Sequence, residues 1–168
     1  MANSVSQVLL TEARLDAPKE DVRHGESVHW RIDPGAGAVV DFWGVVRELE
    51  DGRKIEGIDY EAHKAMAEHQ MKVIADAAAE TFGLSRVVLH HRVGFVRTGE
   101  ASLFLRVSAQ HRAAAFEASK WIVDELKKKV PIWKNPAFGP RCEPHRRSTG
   151  LKATAREAAI TTAKSGIR

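Results

Sequence analysis

Five basic side chains stand where this chain could gather an anion. Arg47 closes an apolar run, Gly37 to Val46, and His111 and Arg112 open an amphipathic stretch that ends at Lys127. Lys134 follows after Pro131, which cannot continue a helix because it lacks the N–H and restricts the residue before it. Arginine offers a planar fork of donors suited to phosphate, and lysine a compact charge whose pKa can fall. The free N–H groups of a helix N-terminus add to an anion site, which favours His111 and Arg112. The same residues also read as a solvated basic face, with Lys127, Lys128 and Lys129 merely well placed at a helix C-terminus. Spacing alone does not choose between these readings.

Other chemistries find less support. A zinc site needs converging ligands, whereas His63 and His69 are six residues apart on a predicted helix and the adjacent pair His90-His91 diverges in a predicted strand. Cys142 lies near Arg141 and His145, cations that lower a thiol pKa. No orienting constellation surrounds it, so it reads as a free surface thiol. Gly35, Gly37 and Gly44 lack the strand-to-helix context of a dinucleotide fingerprint, and there is no P-loop. No metal or cofactor is expected.

The elements that must position the five cations follow from periodicity. At 168 residues one domain is expected, with a real core. A single cysteine excludes an intramolecular disulfide, and no apolar run approaches the roughly 20 residues that span a bilayer. The start of the chain lacks the basic flank and apolar core of a secretory signal, so the cytosol is the expected compartment. The formal charge of +4 suits an anionic ligand without indicating nucleic acid.

Val8 to Leu10 reads as a short edge strand. Residues 37–46 read as a strand covered on both sides, followed by a turn at Glu50 to Arg53 and an antiparallel strand from Lys54 to Tyr60. A helix is predicted over 62–82, with Met66, Val73, Ile74, Ala77 and Ala78 on its apolar stripe and Gly83 as its stop. Strands follow at 86–93 and 101–109, separated by a turn at 94–99. Ser108 is a candidate cap for a helix over 111–130 whose stripe includes Phe116, Ile122, Val123 and Leu126. Lys134 falls on the turn after that helix. The order predicts an α+β fold with a largely antiparallel sheet and two main helices. Residues 1–140 form the expected domain, and 141–168 a basic tail that is either helical or flexible.

These residues carry a resemblance to the large, catalytic subunit of molybdopterin synthase. The matching pieces are GAVVDFWGVVR (37–47), Asp59-Tyr60-Glu61 with Met66-Ala67, HHRVGFVRTGE (90–100) and VSAQHRAAAFEASKWIVDELKKKVPIWK (107–134). The resemblance implies a hammerhead-like α+β fold and a homodimer of large subunits. Each would bind a small ubiquitin-like sulfur-carrier subunit, giving a heterotetramer. The carrier's C-terminal Gly-Gly thiocarboxylate would deliver sulfur to cyclic pyranopterin monophosphate (precursor Z) to make the molybdopterin dithiolene, a step of molybdenum cofactor biosynthesis. Residue by residue, Lys127 and Lys134 match the family's active-site lysines, and Arg47, His111 and Arg112 match its substrate-pocket cations.

Thiocarboxylate, phosphate and oxyanion are all negative, so preorganised cations stabilise them. Crowding by Lys128 and Lys129, with partial burial, would lower the Lys127 pKa and suit it as base or nucleophile. Two departures stand out: Asn135-Pro136 replaces a Lys-Glu-like run, and Asp41 stands in place of a threonine. An uncompensated carboxylate there would be costly, so Asp41 is expected to face solvent or meet an arginine. A non-catalytic carrier-binding homologue is the alternative. A nucleic-acid binder using the tail arginines is weaker, because aromatics are few and not interleaved with them.

Overall fold

The structure, a computed structural model, describes residues 5–15 and 34–139. The expectations for Cys142 and the basic tail lie outside these residues. The chain runs β1 (Val5–Thr11), β2 (Ala38–Val45), β3 (Leu49–Glu50), β4 (Arg53–Ala62), α1 (Lys64–Phe82), β5 (Leu84–Arg92), β6 (Gly94–Arg97), β7 (Ala101–Ala109), α2 (Arg112–Lys129) and β8 (Ile132–Phe138). The fold is α+β, as expected, but its strands form two sheets. One has the order β1-β5-β7-β2, with β1 parallel to β5 and the other pairs antiparallel. The other is built on β4, which pairs with β3, β6 and β8, all antiparallel.

Both helices lie on the larger sheet. Helix α1 buries Ala67, Met71, Ile74, Ala75, Ala78 and Ala79, a face at helical spacing whose four alanines allow close approach to the strands. The predicted stripe was rotated from this face: Met66 and Val73 are exposed. Gly83 ends the helix in the left-handed conformation (φ 63°), donating its N–H to the Ala79 carbonyl. Helix α2 buries Ala115, Ala118, Ile122, Val123 and Leu126, but Phe116 is 63% exposed and leaves the predicted stripe. His111, not Ser108, holds the N-cap position, without a side-chain cap bond; Ser108 is buried inside β7 opposite Arg86.

Several strand expectations are corrected. Strand β4 does not pair with β2; it belongs to the second sheet. The expected cover on both faces of β2 is not met, since Phe42 on one face and Val45 on the other are exposed; among the described residues β2 is also the last strand of its sheet. The predicted turn at 94–99 contains β6, and the predicted turn at Lys134 lies within β8, which continues through Pro136. Proline is tolerated because, among the described residues, β8 pairs with β4 on one edge and with no strand on the other. A register shift between Ile55 and Gly57 changes the parity of β4, so that Ile55 joins Ile58 and Tyr60 in a small core with Val46 and Val96.

Candidate functional site

Helix α2 sets the spacing of the predicted site. His111 precedes its first turn in extended conformation (φ −131°, ψ 147°), its side chain making no cap hydrogen bond. Arg112 is the first helical residue, and both side chains are exposed. Lys127 lies in the last turn. At about 1.5 Å of rise per residue, Arg112 and Lys127 are separated by roughly 22 Å along the axis. One chain therefore does not gather these two groups into one pocket.

The two predicted lysines flank the α2–β8 junction in sequence, Lys127 in the last helical turn and Lys134 in β8. Val130 ends the helix in extended conformation (φ −85°, ψ 125°), as a residue before proline prefers. Its N–H donates to the Leu126 carbonyl at 3.1 Å, and Ile132 N–H donates to the Val130 carbonyl at 2.8 Å. The chain then enters β8, where Lys134 pairs in register with Tyr60. Of the three lysines in the last turn, Lys129 and Lys128 bond Glu125 at 2.5 Å and 3.3 Å. Lys127 makes no side-chain hydrogen bond or ion pair among the described residues, and neither does Lys134. Lys127 is exposed, so the expected partial burial is not met within one chain. Arg47 follows β2 and is exposed, its guanidinium 3.4 Å from Glu50.

Beneath Lys134 lies a polar cluster that the sequence reading did not assemble. Cross-strand neighbours in register project to the same face, which places Lys134 beside buried Tyr60. The Tyr60 hydroxyl donates to Ser102 Oγ at 3.2 Å, and Ser102 Oγ donates to the Gly44 carbonyl at 3.3 Å. Burial pushes the Tyr60 phenol up, which keeps it neutral. The His91 ring meets the Tyr60 ring edge-on, with centroids 5.4 Å apart. His91 Nδ1 lies 2.7 Å from the Arg92 carbonyl, which only accepts, so Nδ1 is the protonated nitrogen. Burial lowers the His91 pKa, the bond to the Arg92 carbonyl opposes this, and the Lys134 cation lowers it further.

The divergence of the His90-His91 pair holds, since His90 turns instead to Phe104 at 6.0 Å. That divergence excluded a shared metal but hid the Tyr60 contact, which depends on pairing between distant strands. Among the described residues no group of three or more His, Cys, Asp or Glu could hold a metal ion.

Two carboxylates behave as charge partners. Asp41, opposite Arg106 in the β2–β7 register, accepts a fork of bonds from Nε at 2.6 Å and NH2 at 2.7 Å, as the sequence anticipated. Buried Arg92 donates to Glu100 at 2.9 Å, and this bond holds the Glu100 carboxyl below its usual range. At the far end of β8 from Lys134, a cleft of about 950 Å³ is lined by Glu48, Arg53, Lys54, Phe95, Arg97 and Phe138. None of the five predicted site residues lines it. Among the described residues no helix is long and apolar enough to cross a membrane.

Comparison with known proteins agrees with this architecture. The molybdopterin synthase catalytic subunit of Pyrococcus abyssi is 41% identical over 115 residues, spanning 68% of this chain and 78% of that protein. The X-ray structure of molybdopterin synthase from Staphylococcus aureus superposes with a TM-score of 0.61 at 35% identity, over 64% of this chain and 79% of that one. A complex of subunits 1 and 2 of molybdopterin-converting factor from Helicobacter pylori shares the fold, with a TM-score of 0.52 at 23% identity, over 71% of this chain and 82% of that one. The family model described as MoaE protein matches residues 16–129, more than half the sequence, and the chain belongs to that family.

Proposed function

We propose that this chain works as the catalytic subunit of a molybdopterin synthase, a sulfurtransferase acting in molybdenum cofactor biosynthesis. Family membership and the relatives' names support the enzyme reading. The observation that carries the site is the α2–β8 junction, where Lys127 and Lys134 flank Val130-Pro131 while the neighbouring lysines are taken up by Glu125. The sulfur donor in this reading is the Gly-Gly thiocarboxylate of a small ubiquitin-like carrier, and the acceptor is cyclic pyranopterin monophosphate. The two-subunit assembly of the Helicobacter pylori relative is in keeping with such a partner. Phe42 of β2 and Trp133 of β8 are exposed apolar side chains available to an extended carrier tail.

In this mechanism the thiocarboxylate sulfur bonds to the pterin. Lys127 is the general base for water, or the amine that attacks the resulting thioester-type carbonyl, so that the sulfur stays on the pterin as leaving group and the carrier's acyl group passes to water or the amine. Lys134 positions substrate or protonates the leaving group. Arg47, His111 and Arg112 hold phosphate and pterin. The roughly 22 Å between the ends of α2 then requires a homodimer, in which the N-terminus of one α2 faces the lysine junction of the other copy. Exposed Phe116, one turn beyond Arg112, supplies an apolar surface for that contact. With two carriers the assembly is a heterotetramer. Its compartment is the cytoplasm, where the carrier and pterin would be met.

The alternative is a carrier-binding homologue without turnover. Asn135 and Pro136 favour it to this extent: Asn135 donates to Glu61 at 2.9 Å and Pro136 is built into β8, so both positions serve the strand. A reconstituted assay with thiocarboxylated carrier and precursor separates the readings. The wild-type chain should form dithiolene, and Lys127→Ala should retain carrier binding while losing product by about 100-fold or more. Wild-type turnover in Lys127→Ala refutes the lysine assignment, and no turnover in the wild type favours the binding homologue.

A further inference from the structure

The cluster under Lys134 contains one group that the proposed mechanism leaves unused. His91 sits on β5, between Leu10 of β1 and Leu103 of β7 in register, with Tyr60 of β4 against its ring. Because Nδ1–H is committed to the Arg92 carbonyl, the neutral ring presents its lone pair at Nε2. Among the described residues Nε2 makes no hydrogen bond, and it is not among the sealed, unpartnered polar atoms; those are His90 Nε2 and Arg92 Nε. The charged group acting on the imidazole from outside its own strand is Lys134, on the strand next to Tyr60. The neighbouring Arg92 charge is directed to Glu100.

We propose that His91 is a positioning residue for Lys134: the lysine stem, unbonded among the described residues, turns over the Tyr60 ring that lies between the two and donates an N–H to the neutral Nε2 when the site is engaged. The lysine has a long flexible stem and three donors, and its side chain has no partner of its own among the described residues. An acceptor at one fixed point selects one arrangement of that stem and leaves two N–H groups for an anion. Tyr60 is itself pinned to Ser102, so the platform beneath the lysine is rigid. Protonating His91 removes the acceptor and puts a second positive charge beside the first. Positioning is therefore lost in acid. This inference rests on the reading that Lys134 serves the sulfur-transfer site.

The test uses the full chain with thiocarboxylated carrier and cyclic pyranopterin monophosphate, comparing wild type, His91→Gln, His91→Leu and Lys134→Ala. Glutamine keeps a neutral acceptor that does not titrate; leucine removes it. At pH about 7.5, His91→Leu should lose about tenfold in kcat with carrier affinity unchanged, while His91→Gln stays near wild type. The acid limb of the wild-type kcat profile should be absent from His91→Gln. By NMR on the chain alone, Lys134→Ala should raise the His91 imidazole pKa, a readout that needs neither a His91 variant nor turnover. Equal losses in the two His91 variants, an acid limb that survives in His91→Gln, or an imidazole indifferent to Lys134 overturns the proposal. If Lys134→Ala turns over at the wild-type rate, the sulfur-transfer role of Lys134 fails, whatever the NMR coupling shows.

Discussion

The two sheets divide the molecule into a thickly packed and a thinly packed layer. The β1-β5-β7-β2 sheet has two helices on one face and a core in which Met71, Leu89, Leu105, Val107 and Ile122 are wholly buried. The β4 sheet encloses five buried residues, one of them Tyr60. It also carries Lys134 and Asn135 on β8, and its strands line the charged cleft. A sheet with so small a core depends on its neighbours for rigidity, and Tyr60 supplies that link through Ser102 on β7 and His91 on β5. Of the five proposed site cations only Lys134 lies on the thinly packed layer; His111, Arg112 and Lys127 belong to α2 and Arg47 follows β2, so the proposed site draws on both layers.

Core truncation tests this division most severely. Met71→Ala in the large core should cost about 2–5 kcal/mol, measured by denaturant unfolding, because the methionine is wholly buried. Turnover below the melting transition should change little. A stable but inactive Met71→Ala protein would contradict the division. Gly57→Ala strikes the small sheet instead. A Cβ there would collide with the Val96 carbonyl and lie 2.6 Å from the Phe95 ring. We expect a loss of about 1–3 kcal/mol and, unlike Met71→Ala, reduced turnover even at low temperature, since β4 carries Tyr60. Equal effects of the two changes on turnover would erase the contrast.

Asp41→Ala probes the exposed edge of the large sheet. It leaves the Arg106 guanidinium, 7% exposed, without its forked carboxylate. Because Asp41 is itself partly solvated, a cost of about 1–2 kcal/mol is expected. The smallest effect is that of pH. Burial depresses both His90 and His91, so the unfolded chain takes up protons first as pH falls below the ordinary imidazole range. Stability should be full above that range and decline through it. Asp76, Glu100, Asp124 and Glu125 are held below the usual carboxylate range, so their contribution persists at neutral pH and goes only in stronger acid. Urea midpoints from pH about 7.5 down to about 2 resolve the two phases; a midpoint that does not fall between about 7.5 and about 5 contradicts the first.

Legibility followed the same division. The two helices, β7 and the Gly83 stop were readable because a helix period or alternation repeats within a few residues. The partners of β4 were not, because one came from β6, hidden in an apparent glycine turn, and another from β8, interrupted by Pro136. The apolar stripe on α1 was misplaced because alanines marked the buried face less strongly than Met66 and Val73 marked the exposed one. The five cations were named from residue type and resemblance. Their separation along α2 follows from helix length, yet only the described helix from Arg112 to Lys129 made it unavoidable. The Tyr60–His91–Lys134 cluster depends on three strands far apart in sequence, a relation that no local spacing encodes.

The claim on which the site depends is that each pocket draws on two copies of the chain. Co-expressing Arg112→Ala with Lys127→Ala, each inactive alone, tests it directly. In a mixed dimer one pocket receives both wild-type residues and the other neither. With half of the dimers mixed, about a quarter of wild-type turnover should return. No recovery, with mixed dimers present at that level, would contradict the shared pocket.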